Sequence, residues 1–200
     1  MPILGTVASQ FAGKPFSSFE SIATITGISS GQTFSFSNIP QTFTHLQLRA
    51  ISRVSLGSYT FSGYSMRVGN GSVDTGSNYS NHRIYTSGNN SIFADAGANS
   101  STLDGPFFTA NNAIASNVAV TIMDILDYNN TSKYKTFRMI TGFENNNSGD
   151  SGWTANATAG INFSSGAWRS TSAIDTISFS MGGSAQNSVQ HFALYGIKGA

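Results

Sequence analysis

The sequence predicts an all-β fold, a single-domain antiparallel β-sandwich of jelly-roll-like type, and three observations carry that expectation. Short runs alternate apolar and polar residues with the two-residue period of a strand, as in TFSFS (Thr33 to Ser37) and THLQLRAISR (Thr44 to Arg53). Turn residues separate these runs, most clearly at Asn38-Ile39-Pro40 and Gly69-Asn70-Gly71. Only 10% of residues are charged, against about 25% in an average soluble domain. The polar share comes from Ser, Thr, Asn and 21 Gly, which compete with or weaken the helical backbone. Disorder is the rival reading of such a mixture. It fails because 15 Phe, 7 Tyr and 2 Trp run through the whole chain and give each segment something to bury.

Taken in order, the chain divides into an N-terminal arm (residues 1–18) and a β-sandwich domain (residues 19–200). The arm has a short apolar patch at Ile3 and Leu4, small residues, and a turn at Gly13-Lys14-Pro15. It reads either as a frayed terminus or as a segment that orders against a neighbouring subunit. Phe19 to Thr26 is the first predicted strand. Thr33 to Ser37 follows, with Phe34 and Phe36 inward. In Thr44 to Arg53, Leu46, Leu48 and Ala50 share one face, with His45, Gln47, Arg49, Ile51 and Arg53 on the other. Ser65 to Val68 leads into the glycine turn. Residues 72–116 carry weaker signals, with short candidates at His82 to Tyr85 and Ser91 to Ala94 and an expected exposed loop bearing Tyr79, His82 and Tyr85.

The stretch from Asn117 to Asn147 organises the rest, as two long apolar-rich strands joined by a polar turn. Val118, Val120, Ile122, Asp124 and Leu126 fall on one face, with Ala119, Thr121, Met123, Ile125 and Asp127 on the other. The partner strand sets Phe137, Met139 and Thr141 against Arg138, Ile140 and Gly142. Both faces are largely apolar, so cover on two sides is expected, as inside a sandwich or an oligomer. Ala159 to Phe163, Ala173 to Ser180 and Gln190 to Lys198 close the domain, giving eight to ten strands in all. No fixed-period repeat is visible, which argues against a propeller or solenoid.

The same composition narrows function. The net charge is +1 with no basic block, so nucleic acid is not an expected partner. There are no cysteines, which excludes disulfides and thiol chemistry. No apolar run approaches the roughly 18 residues of a membrane span, and the opening MPILGTVASQFAGKPF lacks the apolar core of a secretory signal. Folding in a cytoplasm is therefore expected, with no membrane partner.

Candidate chemistry is sparse. Asp124 and Asp127, three apart in a strand, point to opposite faces and cannot share acid–base work. Asp124 is expected to be held by Arg138 or a backbone donor. Gly149-Asp150-Ser151-Gly152 matches the nucleophile tetrapeptide of trypsin-like proteases, but runs on into Trp153 and lacks a supporting histidine context, so a polar hairpin loop is expected. His45, His82 and His191 have no metal-site spacing. Asp74, Asp95 and Asp104 sit near glycines without the dense acidic spacing of a calcium loop. No catalytic residue, cofactor or metal is assigned.

Several segments together carry a resemblance: MPILGTVASQ, SIATIT, IPQTFTHLQLR, DILDYNNTSKYKTFR followed by GFENN, and FALYGIKG. Over nearly the whole chain they resemble a group of small tailed-bacteriophage virion surface proteins of head-decoration or tail-appendage type. The resemblance implies a virion setting, with the chain made in the host cytoplasm and assembled as symmetric copies on the particle surface.

Two non-enzymatic functions follow as expectations. One is a capsid decoration or cement protein, a homotrimer on the major capsid protein or another virion protein, anchored by Ile3, Leu4, Phe11, Lys14 and Phe16 of the arm. The other is a tail-fibre or receptor-binding module recognising host surface glycan through Tyr79, His82, Arg83, Tyr85, Trp153 and Trp168. An enzyme is not expected.

Overall fold

A computed structural model describes residues 18–28, 33–55, 60–87, 91–145, 159–181 and 186–199. The described residues form thirteen strands and no helix: β1 Phe19–Thr26, β2 Thr33–Phe36, β3 His45–Ser55, β4 Phe61–Asn70, β5 Ser72–Val73, β6 Tyr79–Ser87, β7 Ser91–Ser100, β8 Leu103–Thr109, β9 Ala119–Leu126, β10 Lys135–Glu144, β11 Ala159–Trp168, β12 Thr176–Ser180 and β13 Gln186–Ile197. Among the described residues no helix is long and apolar enough to cross a membrane. The predicted arm residues Ile3, Leu4, Phe11, Lys14 and Phe16, the Gly149 to Gly152 tetrapeptide and Trp153 lie outside the described residues.

The architecture is an all-β sandwich of two unequal layers. The larger is ordered β1-β13-β3-β9-β10-β11-β6-β7; the smaller is β2-β12-β4-β8, with β5 added to β4. Every ladder is antiparallel except one parallel bridge, Arg53 with Thr109, which joins the layers at the β3–β8 corner. The chain passes between the layers again and again (β1 large, β2 small, β3 large, β4 small), the wrapping expected of a jelly-roll-like sandwich.

The alternation read from the sequence explains the core. Phe34 and Phe36 of β2, Met66 and Val68 of β4, Phe108 of β8, and Ile177 and Phe179 of β12 face Leu46 and Leu48 of β3, Met123 and Ile125 of β9, Phe137 and Met139 of β10, and Phe192 and Leu194 of β13. Phe61, Phe107, Ala119 and Phe143 form a smaller cluster beyond it. Apart from β8, which is buried continuously from Gly105 to Thr109, these strands turn their alternate large residues inward, so one register slip would expel the whole set.

Two expectations change. Residues 72–116 are not a long loop. They hold β5, β6, β7 and β8, whose polar, glycine-rich sequences pair through backbone while contributing few large side chains. β13 begins at Gln186 rather than at the predicted Gln190, so His191 lies well inside the strand.

Candidate functional site

The central hairpin pairs Met139 with Met123 and Ile140 with Ile122. Ala119, Thr121, Met123 and Ile125 are buried in the core, as are Phe137, Met139 and Thr141. The opposite faces of the same strands are apolar too, and among the described residues nothing covers them. Of the two kinds of cover expected, the sandwich supplies one, on the inner side of these strands.

The register carries the exposed phase across six strands. One row runs Ile51, Val120, Gly142, Ile161, Thr86, Ile92 from β3 to β7; the next runs Arg49, Ile122, Ile140, Phe163, Ile84, Ala94. Ile92 is 74% exposed, Ile161 59%, Ile84 56% and Ile140 50%. Single exposed apolar residues are ordinary, but a contiguous band of them marks a binding surface.

Polar groups lie at the margin of the band. In the third row, Arg138 donates to Asp124 at 2.7 Å and Gln47 donates to the same carboxylate at 2.9 Å. Burial alone would raise the Asp124 carboxyl, but the Arg138 and Gln47 hydrogen bonds outweigh it and hold it below the ordinary carboxylate value. The predicted Asp124–Arg138 partnership is therefore present. Arg49 donates to Gln47 and stands over the rings of Phe19 and Tyr195, 5.2 and 5.6 Å from their centroids. Asp127 lies in the hairpin turn at φ 50°, its backbone N–H donating to His45 Nδ1 and its carboxylate accepting from Lys133.

The five described residues of the expected glycan loop are not brought together at one exposed site. Tyr79 is buried, and its hydroxyl bonds the Val68 backbone and the Asp74 carbonyl. Burial pushes that phenol up to about 12. Trp168 is also buried, its indole N–H donating to Asp74 Oδ2 at 2.8 Å. Both are structural parts of one turn. His82 belongs to the outer face, beside Ser165 and Ala96. Arg83 and Tyr85 point to the other side of β6. There Arg83 makes a two-pronged pair with Asp95 (2.7 Å for each prong), lies 3.5 Å from Asp104, and covers Tyr85, which stacks on Phe93 at 5.3 Å and 18°. Burial raises the Asp104 carboxyl despite the nearby Arg83 charge. Among the described residues, no three His, Asp or Glu side chains gather as a metal would need.

The outer-face residues that sequence reading missed are Ile84, Ile92, Ile161 and Phe163. The signal for the last two was present in INFSS, where Ile161 and Phe163 occupy the phase opposite Asn162 and Ser164. A buried asparagine facing an exposed isoleucine and phenylalanine is the inversion of an ordinary half-buried strand.

The Asp74 turn gives a pH-dependent expectation. Its carboxyl lies below the ordinary value of 3.8, chiefly through the Trp168 hydrogen bond, with Asn78 and the Gly76 N–H adding to it. The folded form holds the proton less tightly than the unfolded, so this contribution to stability is full above 3.8 and is lost as pH falls through the lowered value. In a Trp153→Phe background, Trp168 emission is expected to hold steady until the pH drops below the ordinary carboxylate range. Asp74→Asn is expected to flatten that acid transition; an unchanged transition would detach Trp168 from Asp74.

No protein-family model matches the chain, and no curated protein matches it either. Among solved structures, the VIP36 exoplasmic/lumenal domain in its Ca2+/Man3GlcNAc-bound form is similar at 9% identity and TM-score 0.27, covering 91% of this chain and 84% of that one. The CBM2 module of the evolved Dit of Lactobacillus casei BL23 phage J-1 is similar at 10% identity and TM-score 0.18, covering 88% of this chain and 69% of that one. TM-scores this low leave the architecture and the site to be argued from the chain itself.

Proposed function

We propose that this chain is a non-enzymatic structural protein of a bacteriophage virion, a capsid decoration or cement protein that docks on the assembled head as a symmetric oligomer. The observation that supports this reading is the apolar band on the outer face of the large sheet. A surface of that kind, on a rigid sandwich with few charges, favours permanent contact with a neighbour over turnover of a substrate. The resemblance of nearly the whole chain to small phage virion proteins supplies the setting: synthesis in the host cytoplasm, then assembly on the particle surface against the major capsid protein or another virion protein. Repetition by symmetry lets modest interfaces add up to a strong shell.

Quantitative mass spectrometry of purified particles tests the reading. Copy number comparable to that of the major capsid protein is the expected result; a copy number matching a single tail would reject decoration. Ile140→Lys, which plants a charge in the band, is expected to abolish incorporation into particles while the soluble protein keeps its fold.

A second reading, a tail-fibre or receptor-binding module for host glycan, is favoured by one observation. The parallel Tyr85–Phe93 pair beside the Arg83–Asp95 fork presents planar rings next to directional polar groups, the combination that sugars are bound by. Loss of cell-surface binding in Tyr85→Ala, with incorporation intact, would move the assignment to this reading.

A further inference from the structure

We infer that the outer face of the large sheet binds a second copy of this chain about a two-fold axis, outer face against outer face. The inference rests on the reading of that face as a docking surface and adds the identity of what docks.

Size is the first argument. Six strands spaced about 4.8 Å apart and three rows about 7 Å apart give a footprint on the order of 600 Å2 per copy, before side-chain relief is counted. Two copies would then bury about 1,200 Å2, at the lower bound of stable, specific interfaces and above most fortuitous contacts.

Shape is the second. A two-fold contact needs projections and recesses on the same patch, because each residue i that meets j must also be met by it. The face has both. Gly142 lies within the band with no side chain, leaving a depression bordered by Val120, Ile122, Ile140 and Ile161. Ile140 and Phe163 project beside it in the next row, 50% and 49% exposed. Two sheets stacked face to face lie about 10 Å apart with their side chains interdigitated, the spacing at which such projections fill such a recess.

Charge is the third. The charged side chains of the face sit at its edge: Arg138 is paired with Asp124, Arg49 lies over Phe19 and Tyr195, Arg53 donates to the carbonyls of Ala113, Ile114 and Asn117, and Glu144 ends β10. The centre carries none, so a copy of the same surface meets it without like-charge repulsion, and no partner of opposite sign is called for. A trimer would need two different patches to meet around the ring, whereas this is one patch that matches itself.

Analytical ultracentrifugation of the full chain, with particle incorporation measured in parallel, tests the inference. The expected result is a dimer for the wild type and a monomer for Ile140→Lys, with self-association about a hundredfold weaker because a lysine would be buried unpaired. Gly142→Val is the second variant. A Cβ at Gly142 meets only the Gly160 carbonyl at 3.8 Å, an ordinary contact, so the fold accepts it while the recess is filled. It too is expected to weaken the dimer. A wild type that stays monomeric, forms trimers, or forms dimers that both variants leave intact overturns the inference. If the wild type is monomeric and Ile140→Lys still fails to enter particles, the face docks on another protein. If that variant enters particles normally, the docking reading falls as well.

Discussion

Phe192→Ala is expected to destabilise the protein by about 4 kcal/mol, since removing a buried aromatic ring loses both its transfer energy and its packing. Phe192 is fully buried where the two layers meet. Its ring lies 4.7 Å from that of Phe34 on β2, 5.4 Å from Tyr64 on β4 and 5.8 Å from Phe179 on β12, the first two edge-on. One side chain from β13 of the large sheet therefore touches three strands of the small one. The neighbours are themselves held rigidly: Tyr64 accepts a hydrogen bond from Gln190 and packs on Phe108. They cannot collapse into the space left behind. Against a total stability of about 5–15 kcal/mol for a domain, such a loss moves the urea midpoint far to the left. Ile84→Ala on the outer face is the control, expected to change monomer stability by no more than about 0.5 kcal/mol. Equal effects for the two would mean that Phe192 does not bridge the layers.

Much of this architecture was legible because alternation is a strong signal where one face of a strand is buried. Phe34 and Phe36, Leu46 and Leu48, and Phe192 and Leu194 point inward as their spacing requires, and β1 begins and ends at Phe19 and Thr26 as read. The central hairpin was legible to the level of faces, and of the two partners expected for Asp124, Arg138 is the one the register sets opposite it. Residues 72–116 were not legible for an equally physical reason. β7 reads SIFADAGANS and β8 reads LDGPFFT. These strands are held by ladders to β6 and β4, and a backbone ladder leaves little trace in side-chain pattern. The glycan candidates misled because Tyr79 and Trp168 look like exposed aromatics in a polar stretch, whereas both are buried beside Asp74. As for the candidate docking face, apolar residues in both phases of β9 were visible. What they could not reveal was that the second phase would go uncovered among the described residues, since that depends on the layer count rather than on any strand.

Lys135→Met is expected to cost about 3 kcal/mol at neutral pH, because carbonyls that now accept from an ammonium would be left without a donor. Lys135 is the first residue of β10 and occupies the inward phase shared by Phe137 and Met139, opposite Trp168 on β11. It is fully buried. Its Nζ donates to the carbonyls of Asn130 at 2.6 Å, Lys133 at 2.9 Å and Thr171 at 3.2 Å. The lysine thus ties the hairpin turn to the segment that follows β11, and supplies with one group what three backbone acceptors require. Burial lowers its pKa below the ordinary 10.5, with Asp127 opposing the shift. Between the lowered value and 10.5 the unfolded chain holds the proton more tightly than the folded one. In that window the stability of the wild type therefore rises with pH. Tyr64, Tyr79 and Tyr128 work the other way, since their raised values make the folded state the tighter proton holder above 10.0. The difference between wild type and Lys135→Met cancels the tyrosines, and is expected to grow as pH climbs through the lysine window. A flat difference there would place the charge of Lys135 in solvent, and a shrinking one would mean that the folded chain holds the ammonium proton more tightly than the unfolded. Lys135→Arg is not expected to rescue, because a planar guanidinium cannot reach three carbonyls arranged around a single tetrahedral nitrogen.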